Sequence, residues 1–126
     1  MSRETDRAWA AGFFDGEGCF HASRRYRKGN NYYSNIKAAI SQTDPEVLEK
    51  FQRIVGVGSI RGPIDRGRSE NHKPTWVWQV QSFNGVGHVF QVLQPYLGSV
   101  KIAQGRRAFQ LYEETREARN KTVARK

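Results

Sequence analysis

The segment Trp9-Ala10-Ala11-Gly12-Phe13-Phe14-Asp15-Gly16-Glu17-Gly18 is the most informative stretch of the sequence. Small and aromatic residues over 7–14 predict a short helix, and the glycines at 16 and 18 predict where that helix ends. Asp15 and Glu17 alternate with these glycines, so two carboxylates are expected in one tight turn after an apolar helix. Such closely spaced acids are candidate functional residues, and the alternative is that they are ordinary solvated turn residues.

Alternating polarity after this turn predicts a β-hairpin with its own turn over 28–31. One face of the hairpin is apolar and carries Phe20, Ala22, Tyr26, Ile36, Ala38 and Ile40. The other face is polar and basic and carries His21, Ser23, Arg25, Arg27, Tyr33, Asn35, Lys37, Ala39 and Ser41. Such a hairpin is expected to bury one face and leave the other in solvent.

Helices are predicted at three further places. Thr43 and Glu46 fit a capping box that opens the first of them, and Gly56 ends it. A second helix ends near Pro95, and the last begins near Lys101. Each carries apolar residues at helical spacing, which favours packing against the sheet.

A second hairpin is predicted between these helices. Its strands are expected over 59–64 and 75–81, joined by a long basic connection over 65–74. In the later strand we expect the core to receive Trp76, Trp78 and Val80. The outside of that strand is then formed by Thr75, Val77 and Gln79.

The predicted order is α-β-β-α-β-β-α with an extra helix near the end. Two hairpins in one antiparallel sheet, with helices covering a single face, make an α+β fold. At 126 residues the chain is expected to be one domain over 1–118, followed by a charged tail over 119–126.

The uncovered face of this sheet is the candidate surface for DNA. Arg and Lys side chains suit guanine edges and phosphates, whereas Asn and Gln suit adenine. The alternative is a merely solvated sheet face. The residues most expected to contact the DNA groove are Arg25, Lys37 and Arg61. The full set of candidates is His21, Ser23, Arg25, Arg27, Tyr33, Asn35, Lys37, Ser59, Arg61, Thr75, Val77 and Gln79.

Composition favours a polyanionic partner. The chain has 21 Lys and Arg against 12 Asp and Glu, a net charge of +9 and a pI of about 10.1. Cys19 is its only cysteine, which excludes an internal disulfide and a zinc site built from several thiolates. We expect no membrane span and no secretory signal. The expected location is intracellular: cytoplasm, nucleoid or organelle matrix.

Four landmarks in order are similar to the LAGLIDADG homing endonuclease family. The segment from Ala11 to Gly18 resembles the family's signature, and Ile40-Ser41-Gln42 resembles the strand end before its second helix. Gly56-Val57-Gly58-Ser59-Ile60 resembles the entry to its second hairpin. Leu93-Gln94-Pro95-Tyr96-Leu97, followed by Lys101 and Gln104, resembles a late proline-lysine segment. The resemblance covers about residues 7–112.

The resemblance implies that the first helix packs against its twin in a second subunit. A chain with one motif must dimerise, and only one motif is present, so the DNA target is expected to be roughly palindromic. Small residues at this contact let the two backbones approach closely. The residues expected there are Trp9, Ala11, Gly12, Phe13 and Asp15.

The resemblance also implies a metal-dependent nuclease site. Glu17 is the expected metal ligand, assisted by the Gly16 carbonyl, and the metal is expected to be Mg²⁺, with Mn²⁺ as a substitute. Gln42 and Lys101 are expected to flank the metal, with Arg106 and Arg107 as alternatives to Lys101. Asp15 is expected to be mainly structural and to hold the end of the helix in place.

The expected activity is a double-strand break that leaves short 3′ overhangs, made by the homodimer on a long, roughly palindromic site. The alternative is a binding protein on the same fold, either a non-cleaving DNA-binding regulator or a maturase acting on RNA. A binding protein has no physical need for Glu17 and Lys101 together, which favours the enzyme.

Overall fold

The computed structural model describes residues 3–27, 31–64 and 73–124 of the chain. In chain order the elements are α1 (Arg3–Glu17), β1 (Gly18–Arg27), β2 (Asn31–Gln42), α2 (Pro45–Val55), β3 (Ser59–Ile64), β4 (Thr75–Val80), α3 (Phe83–Leu93), a 3-10 turn (Gln94–Tyr96) and α4 (Ser99–Ala124). The strands form one antiparallel sheet in the order β1-β2-β4-β3. The predicted α+β fold is confirmed.

The hydrophobic core lies between one face of the sheet and the helices. Ile36, Ala38 and Ile40 of β2 are at most 1% exposed, as the alternating pattern predicts. Aromatic rings connect the layers: the Phe14 and Phe20 centroids are 4.6 Å apart, and those of Phe51 and Trp78 are 4.7 Å apart. Burying each large apolar side chain contributes roughly 1.5–3 kcal/mol.

Helix α1 is longer than the sequence pattern predicts, because it continues through Gly16 to Glu17. A helical glycine is disfavoured by only about 1 kcal/mol relative to alanine, and burial of Ala10, Ala11 and Phe14 offsets that. The chain changes to strand at Gly18. A side chain there would overlap the Phe14 ring, so glycine is required for the close approach.

Helix α2 is capped by Asp44 and not by Thr43, which corrects the predicted capping box. The Asp44 carboxylate accepts a hydrogen bond from the Glu46 N–H at 2.9 Å. A residue before proline is pushed out of the helical region, and Asp44 is extended with φ −110° and ψ 110°. The helix can therefore begin only at Pro45.

The end of α2 and the start of β3 depend on two glycines with left-handed backbone. Gly56 has φ +76° and its N–H donates to the Gln52 carbonyl at 2.8 Å, closing the helix as predicted. Gly58 has φ +97° and lies against the Trp78 ring, where a side chain would overlap the indole. The Trp78 indole N–H donates to the Val57 carbonyl at 3.0 Å.

Helix α4 starts two residues earlier than predicted. The Ile102 N–H donates to the Gly98 carbonyl at 3.1 Å, so the first helical residue is Ser99. The helix continues to Ala124, past the predicted domain boundary at 118, and that boundary stays a prediction. Of the helices over residues 3–124, none is long and apolar enough to cross a membrane.

Helix α4 also covers the outer edge of β1. Because β1 is at the end of the sheet, half of its backbone donors have no partner strand. The Gln104 carboxamide oxygen accepts a hydrogen bond from the Phe20 N–H at 2.9 Å. This contact fixes the position of α4 along β1, near the start of the strand, where the candidate site lies.

Candidate nucleic-acid interface and metal site

The strand register brings the predicted polar residues onto one face of the sheet. His21 pairs with Lys37 and Ser23 pairs with Asn35, and directly paired residues point to the same side. The face continues across the sheet through Gln79, paired with both Ala39 and Ser59, and through Val77, paired with both Ser41 and Arg61. Among the predicted members, His21, Asn35, Ser59 and Arg61 are exposed, and Ser23, Lys37, Thr75, Val77 and Gln79 are half-buried.

Three further candidates continue this register toward the far end of the first hairpin. Arg25 pairs with Tyr33, and Arg27 pairs with Asn31, so their backbone lies on the strands as predicted. Their side chains fall outside what the structure describes, and so does the part of the basic connection over 65–72. Their assignment as DNA contacts stays a prediction.

Glu17 is the last residue of α1 and not the first residue after it. Its side chain is exposed and forms no hydrogen bond or ion pair with another described residue. The next residue, Gly18, pairs with Ile40 of β2, two residues before Gln42. Glu17 and Gln42 therefore lie at the same end of the β1–β2 pair.

Gln42 occupies the last position of β2 and pairs with Trp76 of β4. It alternates with Ser41, so it has the strand parity of the core residue Ile40 and not that of the polar face. It is half-buried. Gln42 is thus at the boundary between the polar face and the helical layer, beside the end of α1.

Two long-range contacts hold the start of α4, which carries Lys101, next to this turn. The Gly98 N–H donates to both carboxylate oxygens of Asp15, at 3.1 and 3.0 Å. One turn beyond Lys101, the Gln104 carboxamide accepts from the Phe20 N–H. Asp15 and Phe20 flank Glu17 in sequence, so the half-buried Lys101 is held between contacts on both sides of the acidic turn.

The alternative cations lie further along α4. Arg106 and Arg107 are both exposed, and Arg107 lines a groove with His21 and Ala22 of β1. Arg107 therefore adjoins the edge of the sheet, and both arginines are further along α4 from the acidic turn than Lys101. This arrangement favours Lys101 for the position near Glu17.

One side of α1 has space for a second backbone. Gly12 and Gly16 are exposed and one helical turn apart, and an added Cβ at either meets no atom within 4 Å. Ala11, predicted at the dimer contact, is fully buried in its own protomer, so its side chain cannot contribute there. Gly16, which the sequence analysis did not include, is exposed on the same side as Gly12, and its spacing of four from Gly12 is the signal that could have found it.

The other predicted contact residues of α1 are engaged within the protomer. Trp9 and Phe13 are half-buried and stacked, with ring centroids 5.3 Å apart, and Lys50 Nζ lies 3.9 Å from the Trp9 centroid. Asp15 is half-buried against Gly98. Of the five predicted residues, only Gly12 is exposed on the protomer.

The oxygen donors at the end of α1 suit a hard divalent cation. The Glu17 carboxylate and the carbonyls of the last turn, including that of Gly16, are the ligand types that Mg²⁺ prefers. The helix end also carries partial negative charge. Among the described residues of one protomer, no three His, Cys, Asp or Glu side chains form a cluster.

Solved structures of homing endonucleases share this fold. I-CvuI, solved with the I-CreI target and Mg²⁺ and with the DNA uncleaved, has a TM-score of 0.74 and 24% identity, over 97% of this chain and 74% of that chain. I-Vdi141I, an archaeal intron-encoded enzyme complexed with DNA, has a TM-score of 0.63 and 23% identity, over 98% and 72%. I-TnaI has a TM-score of 0.66 and 20% identity, over 93% and 75%.

Sequence comparison identifies the family. No curated protein sequence matches the chain. The family model described as LAGLIDADG endonuclease matches residues 10–110, which include the acidic turn, the polar sheet face and the start of α4. Because this match covers most of the chain, the protein belongs to the LAGLIDADG endonuclease family.

Proposed function

We propose that this protein is a homodimeric homing endonuclease that cuts both strands of a long, roughly palindromic DNA site and leaves short 3′ overhangs. The observation that carries the proposal is the free Glu17 carboxylate at the end of α1. Supporting observations are that Gln42 ends the strand paired with the start of β1, and that the Asp15–Gly98 contact holds the start of α4, which carries Lys101, against the end of α1. Family membership and the net charge of +9 support the same conclusion.

Each group in the acidic turn has a task in phosphodiester hydrolysis. Glu17 and the Gly16 carbonyl are the groups that would hold Mg²⁺, and the cation would supply Lewis-acid activation of phosphate and water. The Gln42 carboxamide would orient the attacking water. The Lys101 ammonium would stabilise negative charge that develops on the phosphate. Asp15 is a positioning residue, because it holds Gly98 and thereby the start of α4.

The open side of α1 supports pairing of two protomers. Gly12 and Gly16 let two helices approach closely, and isologous packing would bring both copies of Glu17 to the two-fold axis. Tyr96 and Val100 are the exposed large hydrophobic residues of the described chain, at 38% and 76% exposure. Both are within two residues of Gly98, so this apolar surface adjoins the end of α1.

The polar sheet face supports DNA as the partner. It is lined by a cross-strand set of basic and amide side chains, centred on the His21–Lys37 and Ser23–Asn35 pairs. In this proposal Lys37 and Arg61 contact the groove or its phosphates, and binding weakens steeply with salt. The two sheets of a dimer would together cover both half-sites.

Removing the Glu17 carboxylate tests the nuclease proposal. We expect Glu17→Gln to lower the cleavage rate at least about 100-fold, the scale for loss of one stabilising group in a hydrolytic site. Binding should be retained, because removing a negative charge beside DNA does not weaken the attraction. The substrate is first obtained by selecting cleaved sites from a randomised, palindrome-biased library with Mg²⁺.

Glu4→Gln is the matched control, since Glu4 is an exposed acid in the first turn of the same helix. It should cleave at the wild-type rate. Normal cleavage by Glu17→Gln would contradict the metal-ligand assignment. Retained binding with no cleavage by the wild-type protein in Mg²⁺ or Mn²⁺ would instead support a binding protein on the same fold.

A further inference from the structure

A second basic surface lies between α1 and α2. A groove of about 720 Å³ is lined by Arg3, Asp6, Arg7, Lys50, Arg53 and Ile54. Four of these six side chains are cationic and one is acidic. Arg3, Arg7 and Arg53 are exposed, and none of the four cations forms an ion pair with another described residue. Their charge is therefore available to a partner.

This groove is on the helical side of the molecule. Helices α1 and α2 pack on the buried face of the sheet, where Phe51 contacts Trp78. The groove is formed by the outer parts of the same helices, so it is turned away from the polar sheet face. It shares no residue with the open side of α1 at Gly12 and Gly16, so the proposed dimer contact does not use it.

The chemistry of the groove suits phosphate groups. Guanidinium groups bind phosphate oxygens through two parallel hydrogen bonds. The groove contains three guanidinium groups and the Lys50 ammonium. Lys50 Nζ lies 3.9 Å from the centroid of the Trp9 ring, and this contact restricts the position of the ammonium group. A neighbouring groove shares Lys50 and Arg53 with this one and is also lined by acids that limit the basic surface on the α2 side, namely Asp44, Glu46 and Glu49.

The lining favours double-stranded over single-stranded nucleic acid. Proteins that bind single strands combine positive charge with exposed aromatic rings on which bases stack. No aromatic ring is among the described residues that line this groove, and the nearby Trp9 ring is already in contact with Phe13 and Lys50. A duplex needs only phosphate contacts, which the four cations provide.

We propose that this groove binds the phosphate backbone of a second DNA duplex, independently of sequence, while the sheet face holds the first. The protein would then bridge two DNA segments. The groove itself is argued from Arg3, Arg7, Lys50 and Arg53, and only the bridging rests on the proposed function of the sheet face.

A two-duplex capture experiment tests this proposal with the full-length protein. One duplex of random sequence is immobilised at low salt, and the retained protein is measured. A second, fluorescent duplex of unrelated sequence is then added and its capture is measured over a range of salt concentrations. We expect Arg7→Gln and Arg53→Gln each to lower capture about threefold or more. Each should also reduce the salt slope by about one unit per lost phosphate contact.

Arg116→Gln is the matched control, because it removes one charge from another exposed helical arginine that does not line the groove. It should capture the second duplex as the wild type does. Circular dichroism checks that each variant is folded. Arg7 and Arg53 are exposed, so we expect no loss of structure.

The outcomes separate this proposal from the endonuclease proposal. Retention of the protein without capture of the second duplex, or equal capture by all variants, contradicts the groove assignment alone. Failure of the first duplex to retain any protein contradicts DNA binding by both surfaces. Capture of an RNA duplex of equal length in place of DNA contradicts the assignment of DNA as the partner.

Discussion

Asp15 and Glu17 are two residues apart, yet their carboxylates have different surroundings. Asp15 is half-buried and accepts the Gly98 N–H with both oxygens, whereas Glu17 is exposed without a protein partner among the described residues. The Gly98 N–H is shared by both Asp15 oxygens, so the Asp15 carboxylate is directed at the start of α4. The difference therefore assigns a positioning task to Asp15 and leaves Glu17 for the proposed chemistry.

The family resemblance predicted a structural role for Asp15, but it did not predict the partner of Asp15. Gly98 is 83 residues away, and any backbone N–H near the end of α1 would have suited the carboxylate. Thr43 and Asp44 show a similar limit on a shorter scale. Both are good capping residues, and only the effect of Pro45 on the backbone of Asp44 decides between them.

Replacing Asp15 tests its positioning role. Asp15→Ala should reduce the free energy of unfolding by about 1–3 kcal/mol, because it removes a charge-assisted hydrogen bond and leaves the Gly98 N–H without that partner. Asp15→Asn retains one acceptor oxygen and should lose less. Urea unfolding at fixed protein concentration measures both. Equal stability of Asp15→Ala and the wild type would mean that the Gly98 contact contributes nothing.

Because Asp15 holds the start of α4 and Lys101 with it, Asp15→Ala should also lower the cleavage rate, in addition to its effect on stability. The expected defect is in the rate at saturating DNA, since the sheet face that binds DNA is unchanged. Asp15→Asn should recover part of this rate, and a carboxylate needed for metal binding would not be rescued in this way.

At the scale of elements, the alternation of side chains was sufficient to predict the sheet. His21, Lys37 and Gln79 lie on one face because residues two apart in a strand share a face, and the hydrophobic pattern fixes the register. The packing of α4 was not predictable in the same way. One contact with the edge of β1 is made by Gln104, and a glutamine in a helix usually faces solvent.

Gly105 is a position where α4 packs closely against the core. It is buried, and an added Cβ would lie 2.6 Å from the Phe90 ring and 3.2 Å from the Phe20 ring. Alanine gains about 1 kcal/mol of helix propensity over glycine. The overlap involves ring atoms in a packed aromatic cluster and should outweigh that gain, so we expect Gly105→Ala to lose about 1–3 kcal/mol of stability in urea unfolding.

Gly87 provides the matched control for this substitution. It is also a helical glycine, in α3, but an added Cβ there meets no atom within 4 Å. Gly87→Ala should therefore gain up to about 1 kcal/mol. A stabilised Gly105→Ala would show that α4 can move outward from β1 without loss, and that the Gln104 contact is not needed to hold it.

At the scale of the whole molecule, the surfaces of one protomer have separate properties. The sheet presents a polar face with His21, Lys37 and Arg61, the helical side presents the basic groove, and α1 presents small residues between them. The family motif predicted a contact on α1 that includes Ala11, and the protomer buries Ala11 in its own core. A pattern of small residues does not say which of them stay exposed.

The proposed dimer contact can be tested without disturbing the fold of the protomer. Gly12 is exposed and has open space around it, so Gly12→Leu should leave the protomer folded. A leucine on each of two closely packed helices would separate their backbones, and we expect the mass in sedimentation equilibrium to fall from dimer to monomer. Cleavage should fall with it, because one protomer would supply only one copy of Glu17.

Gln91→Leu places the same side chain at an exposed position of α3 and should remain a cleaving dimer. The comparison separates a specific contact at Gly12 from a general effect of surface leucine. Dimerisation through the basic groove or through α4 would leave Gly12→Leu dimeric. That result would remove the physical reason for two copies of Glu17 to meet, since only contact along the open side of α1 brings both helix ends to a common axis.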